Sequence, residues 1–293
     1  MATIGERTTA PQVSENGGGK SQTTGTTIVI TSGKGGVGKT TATANIGAGL
    51  ALRGRKVVVV DTDIGLRNLD VVLGLENRIV YDLVDVVEGR CQIKQAMIRD
   101  KNVSDLYLIP AAQTRDKSAV NPEQMKELCH QLRQEFEYVL IDCPAGIEHG
   151  FQNAIAAADR AIVVTTPEVS AIRDADRVIG LLEAAQIPIP DLVINRLRPN
   201  MVRDGDMMDS NDILELLSVK MLGLVPDDDK LIVATNKGVP AVHDKGSWSG
   251  EAFRRIAARI DGDDQPFLQL ENGNNLMSRF KRFIGRPGEE SRR

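Results

Sequence analysis

The sequence predicts a doubly wound α/β fold, a mostly parallel β-sheet with helices on both faces. Three observations carry that expectation. Short β-branched runs alternate with longer amphipathic stretches from residue 27 to residue 261. The short runs are almost wholly apolar rather than alternating, as in strands buried on both faces. A glycine-rich turn joins the first run to a helical stretch, as βαβ units require.

The first strand is expected at Thr27–Ser32, where Thr-Ile-Val-Ile-Thr-Ser precedes the glycines. Further strands are expected at Lys56–Asp61, Leu106–Ile109, Tyr138–Asp142, Arg160–Thr165, Leu192–Asn195 and Met221–Val225. Helices are expected at Lys39–Leu52, Pro122–Gln134, Ser170–Ala185, Ile213–Leu217 and Ser249–Ile260. Residues 1–26, rich in Gly, Ser, Thr and Gln without apolar periodicity, read as a disordered lead. They lack the apolar stretch of a secretory signal. Residues 27–261 are expected to form the folded domain, 262–273 a polar linker, 274–286 an amphipathic helix and 287–293 a tail.

Composition narrows the class. The chain has 293 residues, 41% hydrophobic and 26% charged, enough for a substantial core without staples. Its longest apolar runs, such as Val57–Val60, fall far short of the roughly 20 residues a bilayer span needs. Three cysteines, Cys91, Cys129 and Cys143, form no CxxC pair, so neither a disulfide framework nor a zinc knuckle is expected, and a cytoplasmic setting fits. Net charge is −4, but residues 274–293 hold six Lys/Arg against two acids. That stretch therefore carries +4 and the rest −8, which argues against a body that binds nucleic acid and for a tail that meets an anionic surface.

The glycine-rich turn reads Gly33-Lys34-Gly35-Gly36-Val37-Gly38-Lys39-Thr40-Thr41, satisfying G-x-x-x-x-G-K-[ST] between a strand and a helix. Glycines there let successive backbone N–H groups face phosphate oxygens, and the helix N-terminus adds its positive end. Lys39 is placed to neutralise β- and γ-phosphate charge, and the Thr40 hydroxyl to ligate Mg²⁺. Asp142 ends an apolar strand, where a carboxylate either joins the Mg²⁺ shell or caps the turn. Asp61 and Asp63 end another, and at i, i+2 spacing both can point the same way. Parallel strands bring all three carboxylates to one sheet edge.

The second lysine, Lys34, goes beyond the general phosphate loop. Lys34-Gly35-Gly36-Val37-Gly38-Lys39-Thr40-Thr41 resembles the loop of the deviant Walker A ATPases, the MinD/partition ATPase family. Three more stretches resemble the division-site members of that family: Asp61 to Asp70, Gln113 to Lys117 and Asp142 to Glu148. The resemblance, running from about Thr27 to the C-terminus, implies a P-loop NTPase fold and Mg²⁺-dependent ATP hydrolysis. It implies that Lys34 reaches across an ATP-dependent homodimer, that Asp63 orients the attacking water, that Asp61 and Asp142 serve the metal, and that Asn195 and Pro226 lie near adenine. It also implies recruitment of the division inhibitor MinC to the membrane, release by MinE and location at the cytoplasmic face of the inner membrane. A cargo-positioning role, flagellar-number or partition-type, is the alternative within the family.

In the last segment Leu276, Met277, Phe280, Phe283 and Ile284 share one helical face, with Arg279, Lys281 and Arg282 beside or opposite it. Such a helix suits an anionic membrane interface, the alternatives being docking on the body or on a partner. About three turns long, it is marginal alone, and two copies on one dimer add by effective concentration.

Overall fold

In the computed structural model, residues 24–268 are described. The strands are β1 (Thr26–Thr31), β2 (Val57–Asp61), β3 (Ile98–Arg99), β4 (Leu106–Ile109), β5 (Tyr138–Asp142), β6 (Arg160–Thr165), β7 (Asp191–Leu197) and β8 (Lys220–Pro226). The α-helices are α1 (Lys39–Leu52), α2 (Leu69–Leu73), α3 (Leu83–Val87), α4 (Ile93–Ala96), α5 (Pro122–Leu132), α6 (His149–Ile155), α7 (Val169–Ala184), α8 (Pro199–Asp204), α9 (Ser210–Leu217), α10 (Asp229–Asn236) and α11 (Trp248–Ile260). All eight strands form one sheet, in the order β3-β4-β2-β5-β1-β6-β7-β8. Every pairing is parallel except the antiparallel edge pair β3–β4.

The doubly wound expectation is met, and the strand side chains show why. In β2, Val57 and Val59 enter one core while Val58 and Val60 enter the other, and Ile28 and Val29 divide the same way in β1. Period-2 alternation between two apolar layers requires apolar residues at every position. One face is covered by α1 and α11, the other by α5, α6, α7 and α9.

Helix α1 is built from small residues because it is packed on two sides. A Cβ on Gly47 would stand 2.8 Å from Val59, and one on Gly49 2.8 Å from Ala257 of α11. Other helices begin where the sequence supplies a cap. Asn121 accepts from the Gln124 N–H in a reciprocal box ahead of Pro122, and Asp209 accepts from Asn211 and Asp212, which starts α9 three residues earlier than periodicity suggests. Strand β7 likewise runs two residues past the expected Asn195, through a register irregularity. The short helices α2, α3, α4, α6, α8 and α10, and the two-residue β3, give no periodic signal, being one to two turns or less.

Residues 263–268 run alongside α11. Arg259 Nε donates to the Gln265 carbonyl at 2.8 Å, and its guanidinium lies 4.0 Å from the centre of the Phe267 ring. Among the described residues no helix is long and apolar enough to cross a membrane. Leu276, Met277, Arg279, Phe280, Lys281, Arg282, Phe283 and Ile284 lie outside the described residues, as do residues 1–23.

Candidate functional site

Register places the carboxylates. Asp142 pairs with Ile30 of β1 on one side and Asp61 of β2 on the other, so the two acids end neighbouring strands at the C-terminal edge of the sheet. The chain leaving β1 at that edge turns through Gly33–Gly38 into α1. Gly36 and Gly38 take φ of +80° and +94°, the left-handed region that glycine enters without steric cost. Ser32 Oγ donates to the Lys34 carbonyl at 3.1 Å inside the turn.

Asn195, on β7, braces the loop. Its Nδ2 donates to the Val37 carbonyl at 2.8 Å, and a Cβ on Gly38 would stand 2.3 Å from that same nitrogen. Gly38→Ala is therefore expected to be destabilised by about 2 kcal/mol from the left-handed backbone alone, with the clash in addition. It should melt at least ~4 °C below the wild type and lose nucleotide affinity. Circular dichroism melting checks this, and an unchanged melting temperature would contradict the packing described.

Lys39, the first residue of α1, turns its ammonium inward to Asp142 Oδ1 at 2.8 Å and to Thr40 Oγ1 at 3.4 Å. Both charged side chains are buried, at 6% and 1% exposure, so the pair is one a low-dielectric interior strengthens. Burial pulls the Lys39 ammonium down, but the Asp142 carboxylate, with Asp61 nearby, outweighs it and the net shift is upward. Asp61 also shifts upward, which for an acid favours the neutral form: burial, then the Asp142 charge, pushes it up to about 7. Its oxygens accept from the backbone N–H groups of Asp63 at 2.9 Å and Leu69 at 3.2 Å. The Asp142 carbonyl accepts from the Thr62 hydroxyl at 2.8 Å, tying the ends of β2 and β5 together.

Asp142 Oδ2 is buried and has no hydrogen-bond partner, while Oδ1 takes both Lys39 and Thr43. One orphaned carboxylate oxygen, a second acid on the next strand and the Thr40 hydroxyl make an oxygen donor set. Mg²⁺ is held by such a set, with one or two carboxylates beside phosphates and water rather than a closed protein cage. Among the described residues no three His, Cys, Asp or Glu side chains gather into such a cage.

The remaining expected residues surround this centre. Asp63 is half-buried on the loop after β2, where its carbonyl accepts from the Leu66 and Arg67 N–H groups. Lys34 is exposed, with Nζ 3.3 Å from Ser170 Oγ and 3.9 Å from Glu168 Oε2 at the start of α7. Gly35 and Gly36 are exposed beside it. Asn195 and Pro226 border a cavity of about 470 Å³ together with Gly38, Thr41, Ile232 and Thr235. Cys143 is fully buried and burial pushes its thiol up to about 12, which keeps it a small packing residue.

Two residues the motif did not flag complete the frame. Thr43 Oγ1 lies 2.9 Å from Asp142 Oδ1. Asn45 donates to the Thr41 carbonyl at 2.8 Å and accepts from the Val242 N–H at 3.1 Å, fixing the first turn of α1 to the segment before α11. Their signal is a polar residue at i+4 and i+6 from Lys39 in a helix that is otherwise small and apolar after Thr41.

Residues 25–189 match the AAA domain family. Over 264 residues the chain is 58% identical to the septum site-determining protein MinD of Bacillus subtilis, covering 89% of this chain and 98% of that protein. Among solved structures it is similar to a MinC:MinD cell division protein complex from Aquifex aeolicus, with a TM-score of 0.76, 46% identity and coverage of 83% of this chain and 99% of that one. It is also similar to the septum site-determining protein MinD complexed with Mg-ADP from Pyrococcus horikoshii, with a TM-score of 0.74, 32% identity and coverage of 80% and 96%.

Proposed function

The chain belongs to the MinD family of septum site-determining proteins, and from that premise we propose that it is an ATP-hydrolysing switch that positions the division site. ATP binding dimerises it, the dimer attaches to the cytoplasmic face of the inner membrane and recruits MinC, and MinE-stimulated hydrolysis releases it. The observation that carries the reading is the convergence of Lys39, Asp61 and Asp142 beneath a left-handed glycine loop. The Mg-ADP complex of the Pyrococcus relative and the MinC complex of the Aquifex relative support nucleotide, metal and partner.

In this reading the N–H groups of Gly33 to Thr41 cradle the phosphates, and Lys39 leaves Asp142 to pair with the β- and γ-phosphate oxygens. Thr40, Asp61 and Asp142 hold Mg²⁺, which neutralises charge developing on the transferred phosphoryl group. Asn195 and Pro226 bound the cavity that receives adenine. Asp63 orients the attacking water, and Lys34 exchanges its contacts with Ser170 and Glu168 for the partner's nucleotide. Those contacts are exposed and worth at most about 1 kcal/mol, so the exchange costs little. The stripe from Leu276 to Ile284 enters the membrane interface, with Arg279, Lys281 and Arg282 toward anionic headgroups.

Light scattering tests the first step. The mass is expected to double with ATP and Mg²⁺ and to stay monomeric with ADP or with EDTA. A mass indifferent to nucleotide would sink the switch.

A further inference from the structure

The Asp142 carboxylate is held by two donors of different fates. Lys39 Nζ and Thr43 Oγ1 meet the same oxygen, Oδ1, at 2.8 and 2.9 Å, while Oδ2 is buried without a partner. A phosphate at the loop draws Lys39 away, because a multiply charged anion attracts an ammonium more strongly than one carboxylate does. Thr43 cannot follow. It sits one turn further along α1, is 0% exposed, and its hydroxyl faces Asp142 because i and i+4 share a helical face.

The competing role for this hydroxyl is a bond back to the Lys39 carbonyl, 3.1 Å away. A hydroxyl has one proton to give. That carbonyl already accepts the helical N–H of residue 43, whereas a buried carboxylate about to lose its cation has no substitute donor, and charge-assisted bonds are about twice as strong as neutral ones. The backbone of Asp142 is fixed independently, its carbonyl taking both the N–H and the hydroxyl of Thr62. What is left free is the rotation of the carboxyl group.

We infer that Thr43 is a positioning residue of the metal site: its hydroxyl keeps Oδ1 of Asp142 occupied when Lys39 moves to phosphate, and so leaves Oδ2 as the oxygen available to Mg²⁺. The inference rests on the proposed role of Asp142 as a metal-holding carboxylate. It makes a prediction that simple helix packing does not, because the hydroxyl, rather than the volume of the side chain, decides metal affinity.

The test uses the full chain with ADP and Mn²⁺ as the probe for the divalent cation, followed by electron paramagnetic resonance. Thr43→Val, nearly isosteric, is expected to bind ADP in EDTA as the wild type does, and Mn²⁺ in the ADP complex about 10–100-fold more weakly. Thr43→Ser should restore wild-type Mn²⁺ affinity. If Thr43→Val does not fold, Thr43→Ala against Thr43→Ser reads the same contrast, and equal Mn²⁺ affinity in those two overturns the inference. Wild-type Mn²⁺ affinity in folded Thr43→Val, alongside weakened binding in Asp142→Asn, overturns the role of Thr43 alone. Undiminished binding in Asp142→Asn overturns the metal reading on which it stands.

Discussion

Lys39→Ala is expected to lose nucleotide binding by on the order of 100-fold or more, since truncating one member of a buried, hydrogen-bonded charge pair typically costs 2–5 kcal/mol. Titration with a fluorescent ATP analogue measures it, and affinity within a few-fold of wild type would remove Lys39 from the phosphate site. The substitution also acts on the ligand-free fold. It leaves Asp142, at 1% exposure, beside Asp61 with no cation between them, and breaking such a pair costs about 3–5 kcal/mol. The loss has a pH signature. Asp61 is an acid whose folded value, about 7, lies above its ordinary value near 3.8. The native state therefore binds more protons than the unfolded one in that window, and the contribution of Asp61 to stability, full below about pH 4, falls as pH rises through 7. Lys39 holds the Asp61 value down. Without it the folded value rises further, so the gap in melting temperature between Lys39→Ala and wild type should widen from pH 6 to pH 9. A gap constant across that range would mean that Lys39 does not serve Asp61 electrostatically.

Asp63→Ala should separate binding from turnover. The Asp63 N–H donates to Asp61 and its carbonyl accepts from the Leu66 and Arg67 N–H groups, backbone bonds that alanine retains. Nucleotide affinity is expected to stay within about twofold, while phosphate release falls on the order of 100-fold or more, the contribution typical of a group that handles a proton of the attacking water. Single-turnover hydrolysis of prebound ATP reads this directly. Normal hydrolysis would return the water-orienting role to another residue.

How much of this was legible in the residues differs by element. Strands β2, β4, β5 and β6 and helix α1 follow from apolar runs bounded by turn chemistry, because a strand buried on both faces leaves an uninterrupted signal in its own sequence. The convergence of Asp61 and Asp142 follows from the same rule, as both end parallel strands. The order of the strands does not. Nothing local says that β5 inserts between β2 and β1, yet that insertion puts Asp142 in register with both Asp61 and Ile30. The short helix α2 escapes periodicity but matters to the site, since its first N–H holds Asp61. Thr43 and Asn45 were visible as polar residues in a buried helix. Their partners, Asp142 and Val242, lie 99 and 197 residues away, and only the folded chain pairs them.

A nucleotide-driven switch requires that nucleotide control membrane attachment. Sedimentation with anionic liposomes, in ATP, ADP and no nucleotide, should be run on the intact chain, on a version ending at Gly273, and on Phe280→Glu, which sets a charge on the apolar stripe. The expected result is cosedimentation of the intact chain with ATP alone, lost in both altered chains. Attachment equal in ATP and ADP, or undiminished by removal of residues 274–293, would contradict it, and no attachment at all would favour the cargo-positioning role instead.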